Sequence, residues 1–184
     1  DVHGVVAAKF LQVPVTCNLH YLDPHTSSLG ARCTPKGRMI SSFRILPLAD
    51  GFALAMASEL VEVQLADLKK YAVFFKAQLA DESAVWARFG LCGGDAALRA
   101  LGLDLPDAAG GVARSDELLA VRLDDGRAEL WAPAAQAADL RARLAAALPE
   151  APLNDWLLAR VRAGVGPVFG ATRELYIPQM INLQ

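Results

Sequence analysis

Hydrophobic and polar positions along this chain describe one plan twice, tightly in the first half and more loosely in the second. Residues 30–46 read as a strand, a four-residue turn and a long strand. In the turn, Thr34-Pro35-Lys36-Gly37, proline supplies the φ of about −65° that a type I turn wants and glycine closes it, which leaves a lysine at the tip. Ahead of this hairpin, Val6, Phe10 and Leu11 share a helical face over 5–12, Pro14 stops that helix, and 15–28 is a polar loop. Beyond it, the second strand runs to about Leu48, turns at Asp50-Gly51 and returns over 52–56. A helix capped by Ser58 follows, with Val61, Leu65, Leu68, Ala72 and Phe75 forming its buried stripe. Residues 76–80 leave it as a strand.

The second round has a strand over 85–91, a short helix from Gly93-Gly94-Asp95 to Leu101, and a loop over 102–111. A hairpin follows, 118–123 and 128–131 around Asp124-Asp125-Gly126, then a helix over 134–148 with Pro133 at its start. A shorter helix, 155–163, is capped by Asn154 or Asp155 and ended by Gly164. The two Asp-Gly turns lie 75 positions apart. That order predicts a duplicated α+β fold, each half an antiparallel sheet with helices on one face, divided into 1–80 and 81–184.

Composition narrows the class. With 54% hydrophobic and 21% charged residues in 184, the chain is globular rather than disordered. No apolar run reaches the roughly 18 to 20 residues of a membrane span, and no basic-then-apolar leader opens the chain, so no membrane partner and a cytoplasmic location are expected. Three cysteines, Cys17, Cys33 and Cys92, are an odd, sparse set that points to reduced thiols. The start at Asp1 and the stop at Gln184 without a closing helix suggest part of a longer protein.

Charge changes the picture locally. The formal net charge is −2, yet residues 31–76 hold seven Lys/Arg against four Asp/Glu, with Arg32, Lys36, Arg38 and Arg44 on the hairpin. An anion site is therefore expected in the first half, with a solvated basic hairpin as the plainer alternative. An excess of three charges is small for tRNA contact, which ranks last among the partners considered.

Local catalytic and metal signatures are weak. Cys17, His20, His25 and Cys33 have zinc chemistry, but only Cys17-x-x-His20 has ligand-like spacing, so no metal site is assigned. Gly93-Gly94 and Gly164-x-Gly166 read as turn and cap glycines rather than phosphate loops. With no nucleophile elbow or His-Glu-x-x-His, no catalytic residue is assigned either. Trp156 stands apart. Followed by Arg160 and Arg162, it offers a flat apolar face with cations nearby, suited to a planar, anionic heterocycle; a partly buried packing tryptophan is the alternative.

Several stretches together resemble the YgfZ family, the folate-binding, tRNA-modification-linked relatives of the glycine cleavage T protein. They are Phe10-Leu11-Gln12 with Val15-Thr16-Cys17-Asn18, Ala31 to Arg38, the run Leu68-Lys69-Lys70-Tyr71-Ala72-Val73-Phe74-Phe75-Lys76, and Tyr176-Ile177-Pro178-Gln179 with Asn182-Leu183. The resemblance implies duplicated ferredoxin-like units around tetrahydrofolate, followed in the family by a small β-barrel and a Lys-Gly-Cys signature absent from these 184 residues. It also implies a regulatory or scaffold role in maintaining iron-sulfur enzymes, including one that modifies tRNA, with such an enzyme as client. A folate-dependent aminomethyl or one-carbon transferase is the alternative. In this reading the pterin stacks on Trp156, and the glutamate tail meets Lys36, Arg38 and Arg44. Arg162 stands where relatives carry a glutamate. Being donor-only, it would meet the pterin differently. Gln12-Val13-Pro14 likewise replaces the family's Gln-Gly-Gln.

Overall fold

A computed structural model describes residues 1–4, 7–123 and 125–183. Val5 and Val6 of the expected first helix, and Asp124 of the second Asp-Gly turn, lie outside the described residues. The chain divides into two units, 1–81 with 164–184, and 82–163.

The first unit runs β1 (Val2–His3), α1 (Ala7–Leu11), β2 (Ser28–Cys33), β3 (Met39–Leu48), β4 (Gly51–Met56), α2 (Ser58–Phe75) and β5 (Gln78–Leu79). Its sheet is ordered β2-β3-β4-β1-β5, with every described pairing antiparallel. The second unit runs β6 (Trp86–Leu91), α3 (Asp95–Ala100), β7 (Val112–Ser115), β8 (Leu118–Arg122), β9 (Ala128–Pro133), α4 (Ala137–Ala145) and α5 (Leu153–Arg162). Its antiparallel sheet is ordered β6-β9-β8-β7.

The duplication is visible in these orders. β1, α1, β2, β3, β4 and α2 correspond to β6, α3, β7, β8, β9 and α4, and β5 has no counterpart among the described residues. Without the edge strands, β3-β4-β1-β5 and β8-β9-β6 follow a ferredoxin-like arrangement. The two Asp-Gly turns occupy equivalent places, between β3 and β4 and between β8 and β9. At the first, a Cβ on Gly51 would lie 1.9 Å from the Val2 carbonyl oxygen, so close pairing of β1 with β4 requires glycine.

In each unit the helices of the repeat cover one sheet face, and in the second unit α5 lies on the other. In the first, Phe10 and Leu11 of α1 and Leu68 and Ala72 of α2 pack with Val2, Phe43 and Ile45. In the second, Leu98 of α3 and Leu144 of α4 pack with Leu91, Ala120, Ala128 and Leu130. α5 comes after the repeat, and its Trp156 meets β6 at Gly90, between Phe89 and Leu91, which face the α3–α4 core.

Several local expectations shift. On α2 the fully buried line is Leu60, Gln64, Leu68 and Ala72, while Val61, Leu65 and Phe75 are half-buried flanks. The difference turns on Gln64, a polar residue that is buried because its side chain joins a hydrogen-bond network. The N-cap is Ala57 rather than Ser58 and makes no side-chain cap. Pro133 ends β9, and a 3₁₀ turn, Ala134–Gln136, precedes α4. α5 begins at Leu153 after Pro152, so neither Asn154 nor Asp155 caps it. Strands β1 and β7 were not anticipated.

The expected second subdomain, 81–184, is divided after Ala163. Val168 and Leu183 are buried with Ala31, Met39 and Leu60 of the first unit. The Val168 amide donates to Ser42 Oγ at 2.8 Å, the Met39 amide donates to the Tyr176 carbonyl at 2.8 Å, and the Glu174 amide donates to the Met39 carbonyl at 2.7 Å.

Candidate functional site

The hairpin of the first unit forms through its own turn chemistry. The Gly37 amide donates to the Thr34 carbonyl at 2.8 Å, the Thr34 amide donates to the Arg38 carbonyl at 2.7 Å, and Gly37 takes φ +77°. This holds Lys36 at an exposed tip. Arg38 is exposed too, but its Nη1 donates to the Leu175 carbonyl at 2.7 Å, which ties the hairpin to the C-terminal segment. Arg44 lies farther along β3, is buried, and donates to Ser27 Oγ at 3.0 Å. Of these three cations, Lys36 is the one presented outward, while Arg38 and Arg44 are held by structural hydrogen bonds.

Arg32, the fourth cation of the segment, belongs to the interior. It donates through Nη1 to Gln64 Oε1 and through Nη2 to Asp67 Oδ2 at 2.6 Å, and Ser41 Oγ donates to the same Gln64 oxygen at 3.2 Å. The Arg32 hydrogen bond holds the Asp67 carboxyl below its ordinary value. Arg32 and Ser41 are directly paired across β2 and β3, so both side chains point toward α2. The network fastens that helix to the sheet.

Trp156 and Arg162 belong to the second unit. A Cβ built on Gly90 would fall 2.6 to 2.8 Å from three adjacent ring atoms of Trp156, which puts the indole flat against the strand backbone. The cation over the ring is Arg127, at 4.1 Å from the centroid, rather than Arg160 or Arg162. Arg127 is buried, donates through Nε to Asp125 Oδ2 at 2.6 Å, and donates through Nη1 to the Trp156 carbonyl at 3.3 Å. The arrangement clamps α5 to the β8–β9 turn. That turn repeats the first hairpin: the Gly126 amide donates to the Leu123 carbonyl at 3.1 Å, the Leu123 amide to the Arg127 carbonyl at 2.7 Å, and Gly126 takes φ +83°. Arg162, six residues beyond Trp156, is exposed.

The same sheet carries a second aromatic group. Trp86 and Trp131 meet edge to face with centroids 6.2 Å apart, the Arg88 guanidinium sits 5.1 Å from the Trp131 ring, and Trp131 Nε1 donates to Glu129 at 3.3 Å.

The histidines of the loop are held through their backbone amides rather than through their imidazoles. Asn18 accepts from the His20 amide at 3.0 Å to cap a 3₁₀ turn, and Asp23 accepts from the His25 amide at 2.8 Å. No three of Cys17, His20, His25 and Cys33 come within reach of one ion. Burial pushes the Cys17 and Cys33 thiols up, away from the thiolate a nucleophile needs.

Comparison with known proteins places this architecture. No protein-family profile matches the chain. The chain is 34% identical over 188 residues to the tRNA-modifying protein YgfZ of Sodalis glossinidius, covering 99% of this chain and 56% of that protein. It is 34% identical over 189 residues to that of Serratia proteamaculans, with the same coverage. The Vibrio vulnificus YJ016 protein of the same name is 32% identical over 179 residues, 96% of this chain and 53% of that protein. The chain is a YgfZ relative. It spans little more than half the length of the curated YgfZ proteins it matches. Among solved structures, the glycine cleavage system aminomethyltransferase T of Bartonella henselae superposes with a TM-score of 0.66 at 20% identity, covering 78% of this chain and 41% of that one. That likeness gives the fold of this YgfZ relative.

Three features of these surroundings were missed in the sequence. Gly90 sits inside a strand, a signal of close backbone approach. The shared Gly-Arg ending of the two hairpins, Gly37-Arg38 and Gly126-Arg127, was readable as well. Gln64 gave no signal, because one glutamine on a helix looks like surface until its partners are known.

Proposed function

We infer that this chain binds tetrahydrofolate and serves as a regulatory or scaffold protein linked to the maintenance of iron-sulfur enzymes and to tRNA modification. The observation that carries the reading is its similarity, over 99% of its length, to a protein named for tRNA modification. Its likeness to an aminomethyltransferase T contributes the fold alone. Trp156, in the second unit, would supply a surface for the pterin; in the first unit Lys36 is the outward cation, and Arg38 and Arg44 are held by structural partners. Arg162 would donate where a glutamate would accept.

Calorimetric titration with tetrahydrofolate tests this. Binding is expected, with Trp156→Ala weakening it at least about tenfold through loss of aromatic contact. Since Trp156 also holds α5, Lys36→Ala on the exposed tip is the second variant. It is expected to weaken the polyglutamated ligand more than the monoglutamate. A protein indifferent to tetrahydrofolate would sink the reading.

A second reading, folate-dependent aminomethyl transfer, draws on the fold. It needs a competent nucleophile or base, and the raised Cys17 and Cys33 thiols are poor ones. Transfer of formaldehyde- or methylamine-derived carbon to tetrahydrofolate would favour it; the expected result is no turnover.

A further inference from the structure

The outward side of α2 carries exposed apolar and basic residues that the proposed folate contacts do not use, and among its lysines Lys70 pairs with Asp67 at 3.4 Å. Inward, the helix spends Leu60, Gln64, Leu68 and Ala72. Outward, Val63, Lys70 and Phe74 fall at i, i+7 and i+11, nearly in line, with Tyr71 and Val73 on either side. Phe74 is 81% exposed, Val73 77% and Tyr71 54%. Lys69, Lys70 and Lys76 are exposed around them. Lys9 adds a fourth exposed lysine from α1, whose Phe10 packs on Phe75 of α2 with centroids 5.6 Å apart. From Asp67 to Lys76 the only carboxylate is Asp67, and it is engaged by Arg32 and Lys70.

We propose that the last two turns of α2 dock an unpaired loop of RNA. Lysines select an anionic partner, and two exposed aromatic rings three residues apart select one with planar faces. A single strand with splayed bases offers both: phosphates for Lys69, Lys70 and Lys76, and bases for Tyr71 and Phe74. Exposed Glu59 on the first turn and Glu62 just beyond it make the helix a poor match for an anionic bilayer along its whole length. The choice of RNA rests on the tRNA link in the proposed function, whereas the surface itself is independent of the folate contacts.

The experiment is fluorescence anisotropy of the full chain with a labelled tRNA anticodon stem-loop, a fully paired duplex, polyglutamate and phosphatidylserine vesicles. The stem-loop is expected to bind most tightly. Tyr71→Ala and Phe74→Ala should each weaken it about tenfold. Replacing Lys69, Lys70 and Lys76 together by alanine should flatten the dependence of log affinity on log salt by about 2, at about 0.7 per lost phosphate contact. Tetrahydrofolate affinity, measured in parallel, should be unchanged in all these variants. Equal binding of duplex or polyglutamate, preferential binding of vesicles, or an unaltered Phe74→Ala protein overturns the proposal. RNA-blind protein that still binds tetrahydrofolate overturns it alone. Phe74-dependent RNA binding without folate binding supports it and removes the folate reading instead.

Discussion

Arg127 decides how the Trp156 ring can be used. Its guanidinium lies over the indole at 4.1 Å, anchored by Asp125, where a stacked heterocycle would otherwise rest. A buried cation over an aromatic ring contributes about 0.5 to 2 kcal/mol. Arg127→Ala should therefore lower the urea midpoint, with a loss of about 2 kcal/mol once the bond to the Trp156 carbonyl is included. If the pterin uses the face that Arg127 covers, the same variant should bind tetrahydrofolate more tightly, because no cation has to be displaced. Unchanged affinity in a folded Arg127→Ala protein would show that the ligand does not use this face.

At the scale of elements, one pair of side chains gives the attachment of α2 a pH dependence. Asp67 on the helix is bonded by Arg32 on β2, and that bond keeps its carboxyl below the ordinary 3.8. A depressed folded-state value means the contribution is fully present above the unfolded value and is lost as pH falls through the folded one. Asp67 is partly exposed, so its contribution is at most about 1 kcal/mol. Asp67→Asn should thus be less stable than wild type at neutral pH, and the gap in urea midpoint should close below about pH 4. A gap that stays constant down to pH 2 would assign the effect to packing. This pair also marks where sequence reading stopped. The helix from Ser58 to Phe75 was legible because leucine, valine and alanine recur with helical spacing. Its rotation was not, because Gln64 and Arg32 are buried through partners on other elements. The hairpins were legible from proline and glycine at defined turn positions. The two-residue strand β1 was not, since its pairing with β4 depends on contact between residues about fifty positions apart. For the candidate site, Trp156 and Lys36 stood out by type, while the cation over the indole came from a different element than the neighbouring arginines suggested.

At the scale of the whole molecule, the chain returns to its first unit after completing the second. Among the described residues, 164–183 contain only short 3₁₀ turns, Gly170–Thr172 and Pro178–Ile181, so no periodic pattern announces where they go. Their contribution comes from two anchors and a few backbone bonds. Val168 is 1% and Leu183 8% exposed, and burying side chains of this size contributes about 1.5 to 3 kcal/mol each. The bonds from Val168 to Ser42, and between Met39 and residues 174 and 176, add to this on β3. Removing 164–184 would expose Met39 and Leu60, their partners in the buried cluster, and leave Ser42 without its amide donor. The first unit should then lose about 3 to 5 kcal/mol. In hydrogen exchange, the Met39 amide should lose its protection outright because its acceptor, the Tyr176 carbonyl, is gone, and the remaining β3 amides should exchange at least about a hundredfold faster. Retention of full protection along β3 after the deletion would mean that the segment only lies on a unit that is already complete. Loss of protection would make the first unit discontinuous in sequence, its β3 strand completed by residues that follow the entire second unit.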